Sequence, residues 1–260
     1  MKNPTAAMLV IGDEILSGRT RDTNTAHLAE RLTAIGIDLC EVRVVPDQQD
    51  EIVAAVNALR ARYAHVFTSG GIGPTHDDIT ADAIAAAFGV GIDVREDARA
   101  ILAANYADPA RELNAARLRM ARIPDGAALI DNPVSKAPGF RIGNVHVMAG
   151  VPAVFHAMVE SVLAGLAGGA PLLSRSLRVD APEGGVAELL AGIAGANPDI
   201  AIGSYPFQRN GRFGCSLVLR SQDEARLATV TNALRAALED AELGAVEETT
   251  TPLPRPTAAG

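Results

Sequence analysis

Short unbroken apolar runs alternate along this chain with longer segments in which apolar residues recur at helical spacing. Residues 6–11, Ala-Ala-Met-Leu-Val-Ile, are one such run, the pattern of a strand buried on both faces. Leu28, Leu32 and Ile35 then recur at helical intervals, and Gly36 closes that segment as a C-cap. Residues 37–45 read as a second strand, and Ile52, Val56 and Leu59 give one apolar face to a helix over 49–62. His65-Val66-Phe67-Thr68 is a third strand, and a helix over 79–88 ends at Gly89. Three strand–turn–helix units within the first 89 residues predict a doubly wound, mostly parallel sheet between two layers of helices, a three-layer α/β fold.

The pattern continues with charged helical sequence over 95–120, broken at Asp108-Pro109, and a turn at Ile123-Pro124-Asp125-Gly126. Gly143-Asn144 reads as a hairpin turn before a strand over 145–148, and a helix over 153–166 follows Pro152. Gly168-Gly169-Ala170-Pro171 marks a boundary. Beyond it, strand 175–180, helix 184–195, strands 199–205 and 213–220, and helix 222–240 predict a small α+β domain, with Gln208–Arg212 as its hairpin turn. The expected division is therefore 1–170, 171–245, and a Pro- and Thr-rich disordered tail over 246–260.

Composition narrows the partners. The 260 residues carry a formal net charge of −8, which argues against non-specific binding to nucleic-acid phosphates. A small anionic ligand stays open, because a helix N-terminus supplies positive potential locally. With 3% aromatics and no Trp, the core rests on Ala, Val, Ile and Leu. Cys40 and Cys215 sit in separate strand-like runs and are expected to be buried free thiols rather than metal ligands. No apolar run is long enough to span a bilayer or serve as a signal, so neither a membrane nor a secretory route is expected, and the cytoplasm is the default.

Candidate chemistry gathers where strands end. In open α/β sheets ligands bind outside the carboxyl ends of the strands. The third strand runs into Ser69-Gly70-Gly71-Ile72-Gly73-Pro74-Thr75-His76-Asp77-Asp78-Ile79-Thr80, a strand–glycine turn–helix start of the kind that sets backbone N–H groups against an anion. Asp77 and Asp78 either cap that helix or hold a cation beside a phosphate. Asp13 and Glu14 follow the first strand and are exposed loop carboxylates or part of a shared pocket; Asp47 follows the second and is the N-cap of the next helix or part of that pocket. Asn24 is a ligand contact or a first-turn polar residue, with Asp22 or Thr23 as the N-cap. Lys136 is a phosphate partner or an exposed lysine, and Arg111, Arg117 and Arg119 reach a phosphate or lie on a solvated helix face.

Four stretches in this order resemble the molybdopterin-binding (MoaB/MogA-like) domain family: Ile11–Gly18, Asp22-Thr23-Asn24, Ser69–Thr80 and Ala137-Pro138-Gly139-Phe140. The CinA N-terminal domain (competence/damage-inducible protein) is the branch they resemble most, and the N-terminal part of eukaryotic FAD synthases is also similar. The resemblance covers residues 6 to about 167, and the small domain resembles, more weakly, the KH-type domain that follows in CinA. No C-terminal amidohydrolase domain is found in these 260 residues, so the NMN deamidation associated with it is not expected.

The resemblance implies a small phosphorylated ligand, a nucleotide or molybdopterin, at the strand ends. In the molybdopterin branch the chemistry is adenylation; in the CinA branch it is divalent-metal-dependent cleavage of a pyrophosphate such as ADP-ribose or FAD, with Mg²⁺, Mn²⁺ or Co²⁺. It matches Asp47 and Asp78 to the functional aspartates, Asp77 to the CinA pattern and Ser69, Gly70, Gly71 and Gly73 to the phosphate-side turn. Together with the reading of the residues themselves, the candidates are Asp47 and Asp78 as catalytic, Asp47, Asp77 and Asp78 as metal ligands, and Gly12, Asp13, Glu14, Asn24, Ser69, Gly70, Gly71, Gly73, Thr80, Lys136, Pro138 and Gly139 as ligand-binding. Relatives of this fold are often homo-oligomers. Two departures stand out: the family's Gly-Thr becomes Ser135-Lys136, and the Glu of Pro-Gly-Val-Pro-Ser-Glu becomes Val154. The expectation is a metal-dependent nucleotide pyrophosphatase; the alternative is a non-catalytic molybdopterin- or nucleotide-binding module.

Overall fold

The computed structural model describes residues 2–209 and 211–248 and divides into two compact units, one running to Gly169 and one beginning at Ala170. In the first unit, β1 (Thr5–Ile11) leads through the short helix α1 (Asp13–Leu16) to α2 (Asn24–Ala34), β2 (Asp38–Val45), α3 (Gln49–Arg60), β3 (His65–Ser69) and α4 (Thr80–Phe88). Then come β4 (Ile92–Val94), α5 (Glu96–Ala103), α6 (Pro109–Glu112), α7 (Ala115–Leu118), β5 (Arg122–Pro124), β6 (Ala128–Ile130), β7 (Gly139–Ile142), β8 (Val145–Met148) and α8 (Pro152–Leu163). The main sheet has the order β2-β1-β3-β8-β7-β6. β2, β1, β3 and β8 are parallel, and β7 and β6 continue antiparallel.

Strand β1 shows why the fold has three layers. Successive side chains of a strand point to opposite faces. Ala7, Leu9 and Ile11 therefore pack with Ile52, Val56 and Leu59 of α3 and Ile84 of α4, while Ala6, Met8 and Val10 pack with Leu28 and Leu32 of α2 and Phe155, Met158 and Val159 of α8. Burying one such Leu or Phe removes about 1.5–3 kcal/mol of exposed apolar surface energy. Because these six of the seven β1 positions are committed to one core or the other, a polar substitution at any of them would disrupt both helix–sheet layers at that strand.

Sequence patterning is less informative at the edges. β2 is an edge strand with alternating exposure, so Cys40 is exposed rather than buried; only Cys215 is the interior thiol that was expected. The charged stretch over 95–120 forms three short helices rather than two, because Asn114 caps a separate turn by accepting from the Arg117 N–H at 3.0 Å. The three-residue strands β4, β5 and β6 are too short to leave a period in the sequence.

In the second unit, β9 (Leu173–Val179), α9 (Glu183–Ala196), β10 (Ala201–Arg209), β11 (Arg212–Ser221), α10 (Glu224–Asp240) and β12 (Ala245–Glu248) build an antiparallel sheet in the order β10-β11-β9-β12. Leu177, Val179, Cys215, Leu217 and Leu219 of the sheet pack with Val186 of α9 and Leu227, Val230, Leu234 and Leu238 of α10. Residues 246–248, expected to open a disordered tail, pair instead with β9; positions 249–260 of that tail lie outside the described residues, as does Asn210 of the hairpin turn. Among the described residues no helix is long and apolar enough to cross a membrane.

Candidate functional site

Parallel pairing of β1, β2, β3 and β8 sets their carboxyl ends along one edge of the sheet. At the end of β1, the Gly12 N–H donates to the Val45 carbonyl at 3.1 Å, which carries the ladder one residue past the strand. The next amide, Asp13 N–H, donates to Asp47 Oδ2 at 2.9 Å. Asp47 therefore does not cap α3, whose N-cap is Gln48; it ties the end of β2 to the start of α1. The Asp47 carboxyl is raised above its ordinary value, mainly by burial and further by the Glu14, Asp13 and Asp77 carboxylates, against the lowering effect of the Asp13 amide. Four carboxylates thus share one field at the rim.

The glycine turn is held from several sides. Gly70 has φ 108°, and a Cβ at this position would lie 2.1 Å from the Ile11 carbonyl oxygen, so the turn can approach β1 only without a side chain. The Gly70 N–H donates to Met148 O at 3.2 Å and the Thr80 N–H to Gly71 O at 2.9 Å. The buried Thr80 hydroxyl donates to Gly70 O at 3.0 Å, so Thr80, expected as a ligand contact, instead fastens the turn to α4.

Neither Asp77 nor Asp78 caps α4, whose N-cap is Ile79 with no side-chain capping bond. The Asp78 carboxylate accepts from the Thr75 N–H at 2.7 Å and the Thr75 hydroxyl at 2.5 Å, closing its own turn. Asp77 is largely exposed, 3.9 Å from the His76 ring.

Asn24, at the start of α2, is 5% exposed. Thr23 is the N-cap of that helix, and Asp22 just before it accepts from the Asn24 and Thr25 amides, which leaves the Asn24 side chain for other partners. Its Nδ2 donates to Ser69 Oγ and to the Gly150 carbonyl, both at 2.8 Å. A carbonyl can only accept, which fixes the amide orientation and leaves Oδ1 buried without a partner. Asn24, Ser69, Gly70, Glu14, Asp22 and Gly150 line a shallow pocket with a cavity of about 50 Å³. A second, smaller pocket is an indentation that takes Gly73, Asp78, Asp82, Arg119, Arg122, Pro138 and Phe140 in its wall and holds only about 10 Å³ of cavity.

Other expected positions fall outside these pockets. Gly139 starts β7, and a Cβ there would come within 2.3 Å of the Val147 carbonyl and the Met158 methyl, so it serves strand packing. Lys136 has φ 58° in a loop organised by Asn132, whose side chain bonds Ser135 and Ala137 O; it lines neither pocket. Val154, where the resemblance would place a Glu, is buried against the α2–α8 core and offers no donor. Of the three arginines, Arg111 is exposed and Arg117 stacks 4.7 Å over Tyr106, while Arg119 reaches the second pocket. Sequence reasoning weighed the three alike; only the path of the chain after α7 separates them.

The metal expectation divides the same residues. Among the described residues no group of three or more His, Cys, Asp or Glu side chains is arranged to hold a metal ion, and Asp78 is turned into its own loop. Asp47 and Asp77 offer hard oxygen donors, and an ion of the Mg²⁺ type commonly takes one or two carboxylates and completes its shell with substrate phosphates and water.

A parallel sheet with carboxylates, a buried amide and a glycine turn around its strand ends defines an α/β domain that binds a small ligand. The comparisons give the family. Residues 7–173 match the family described as "Probable molybdopterin binding domain", and the chain belongs to it. Residues 171–247 match "FAD synthase, middle domain". A protein of Aeropyrum pernix is 33% identical over 250 residues, covering 93% of this chain and 92% of its own. A CinA-like protein of Desulfosudis oleivorans is 36% identical over 209 residues, covering 76% of this chain and 51% of its own. The crystal structure of CinA from Thermoplasma acidophilum, described as of unknown function, matches with TM-score 0.58 and 35% identity over 62% of this chain and 97% of its own. The CinA likeness and the three-layer fold expected from the sequence both hold.

Proposed function

We propose that the strand-end rim of the first unit binds a nucleotide-type pyrophosphate, of the ADP-ribose or FAD kind, and hydrolyses it with a divalent cation. The observation that carries this reading is the 2.9 Å bond from the Asp13 N–H to Asp47 Oδ2, which sets Asp13 and Asp47 at one sheet edge, with Glu14 in the wall of the pocket of Asn24 and Ser69 and the Asp77 charge acting on Asp47. Such a field repels a bare anion and favours a cation together with the phosphates it neutralises. When bound, the cation supplies charge neutralisation at the phosphate oxygens and makes water more acidic. Asp47 and Asp77 hold it, and the Asp13 amide fixes the orientation of the Asp47 carboxylate. The Ser69 hydroxyl, which accepts from Asn24, keeps its own proton to donate to a ligand oxygen. Asp78 and Thr80 keep the glycine turn in shape rather than touching the ligand.

A second reading, a binding module without turnover, draws on Val154 in place of Glu and on the closure of Asp78 onto Thr75. Incubating the protein with ADP-ribose or FAD and Mg²⁺, Mn²⁺ or Co²⁺, with AMP release as the readout, separates the two. AMP in any of these mixtures supports hydrolysis. Tight calorimetric binding with no AMP selects the binding module.

A further inference from the structure

Two arginines lie three residues apart beside the second pocket and are treated differently by their surroundings. Arg122 is neutralised by Asp82 through two parallel hydrogen bonds of 2.7 Å each. Arg119 has no carboxylate within 4.0 Å among the described residues. Its Nη2 donates to the Asp78 carbonyl at 2.9 Å, and its Nε is buried with no partner. A half-buried guanidinium is expensive to keep without an anion, and an unsatisfied buried donor adds to the cost. Around it, the Asp78 and Asp82 carboxylates also line the pocket, Gly73 lies so close that a Cβ there would come within 2.6 Å of Asp78 Oδ2, and Ile72, Met120 and Phe140 give apolar sides that strengthen charge pairing at its mouth.

We propose that Arg119 is the anion-recognition residue of the second pocket, where its guanidinium takes a phosphate group of the ligand. This rests on the reading of the rim as a phosphate-ligand site and adds the residue that favours phosphorylated over phosphate-free ligands. The glycine turn joins the two pockets: Ser69 and Gly70 line the first, Ile72 and Gly73 the second. Because Arg119 is tied to the main chain of Asp78, an anion bound there also bears on the turn that shapes the first pocket. The fork geometry of a guanidinium suits two oxygens of one phosphate better than an ammonium does.

Calorimetric titration of wild type, Arg119→Gln and Arg119→Lys with ADP-ribose, inorganic pyrophosphate and phosphate-free adenosine tests the assignment. Gln keeps a donor for the Asp78 carbonyl and removes the charge, so the fold is retained, which the thermal midpoint checks. Arg119→Gln should weaken ADP-ribose and pyrophosphate at least tenfold and leave any adenosine binding unchanged; Lys should recover part of the loss. Wild-type affinity in Arg119→Gln overturns the Arg119 assignment and leaves the pyrophosphatase reading standing. Charge-dependent binding without AMP release supports Arg119 and ends the hydrolase reading. No binding of ADP-ribose or pyrophosphate by wild type overturns both.

Discussion

The two units bury polarity differently. The first buries Asn3, Asn24, Arg31, Thr68, Ser69, Thr80, Asn132 and His146, with Thr68 and Ser69 at a parallel strand's end, and leaves Asn24 Oδ1, Thr68 Oγ1, Arg119 Nε and ring nitrogens of His27, His146 and His156 without partners. The second buries only Ser176, Ser221 and Thr231 among its described residues, with Thr231 spent on the Leu227 carbonyl and Ser221 on the Asp223 amide. Buried polar groups cost stability unless paired, so a fold keeps unpaired ones where something else is to meet them. By that contrast the first unit is the one with buried polar groups left to meet a ligand, and the second is a packed sheet-and-helix layer.

Glycines test the contrast most sharply. Gly70→Ala should destabilise the chain by about 3 kcal/mol or more and abolish ligand binding, because the new methyl meets the Ile11 carbonyl at a φ of 108°. Denaturant unfolding would measure it. Asp47→Asn comes next: the amide oxygen still accepts from Asp13, so stability should stay level or rise slightly as repulsion is removed, while ligand affinity or turnover falls at least tenfold. A matched loss of both would reduce Asp47 to a structural tie.

Acid sensitivity should also belong to the first unit. Burial, with smaller contributions from His65 and Arg141, lowers His146 to about 3, so the folded chain keeps it neutral. The unfolded chain protonates it below about pH 6.5, hence binds more protons between those values. Stability should fall as pH drops from about 6.5 toward 3, by up to ~1.4 kcal/mol per pH unit from this group. His146→Leu should flatten that slope in urea titrations run across the range. The smallest effect has the opposite sign: Gly192→Ala, inside α9 with no atom within 4 Å of the new Cβ, should stabilise by about 0.5–1 kcal/mol.

What the sequence disclosed follows from which forces leave a period in it. β1 was legible because both faces are buried, and α2, α3 and α8 because each shows one apolar stripe to a core. The exposure of Cys40 was not, since an edge position depends on which strand pairs last. The motif stretches identified the rim, yet not the use of each residue in it. An Asp after a strand can cap, brace or bind, and Asp47 and Asp78 turned out to brace a neighbouring amide and a loop. Arg119 was indistinguishable from Arg117 until the fold put one over Tyr106 and the other beside Gly73.

If the rim of the first unit is the ligand site, ligand binding perturbs that rim and not the second unit. An amide-resolved NMR titration of the ¹⁵N-labelled protein with ADP-ribose and Mg²⁺ tests this directly. The largest shifts should fall on Gly12–Glu14, Asn24, Asp47 and Ser69–Gly73, with α9 and α10 unmoved. Shifts concentrated in the second unit, or none anywhere, would contradict it.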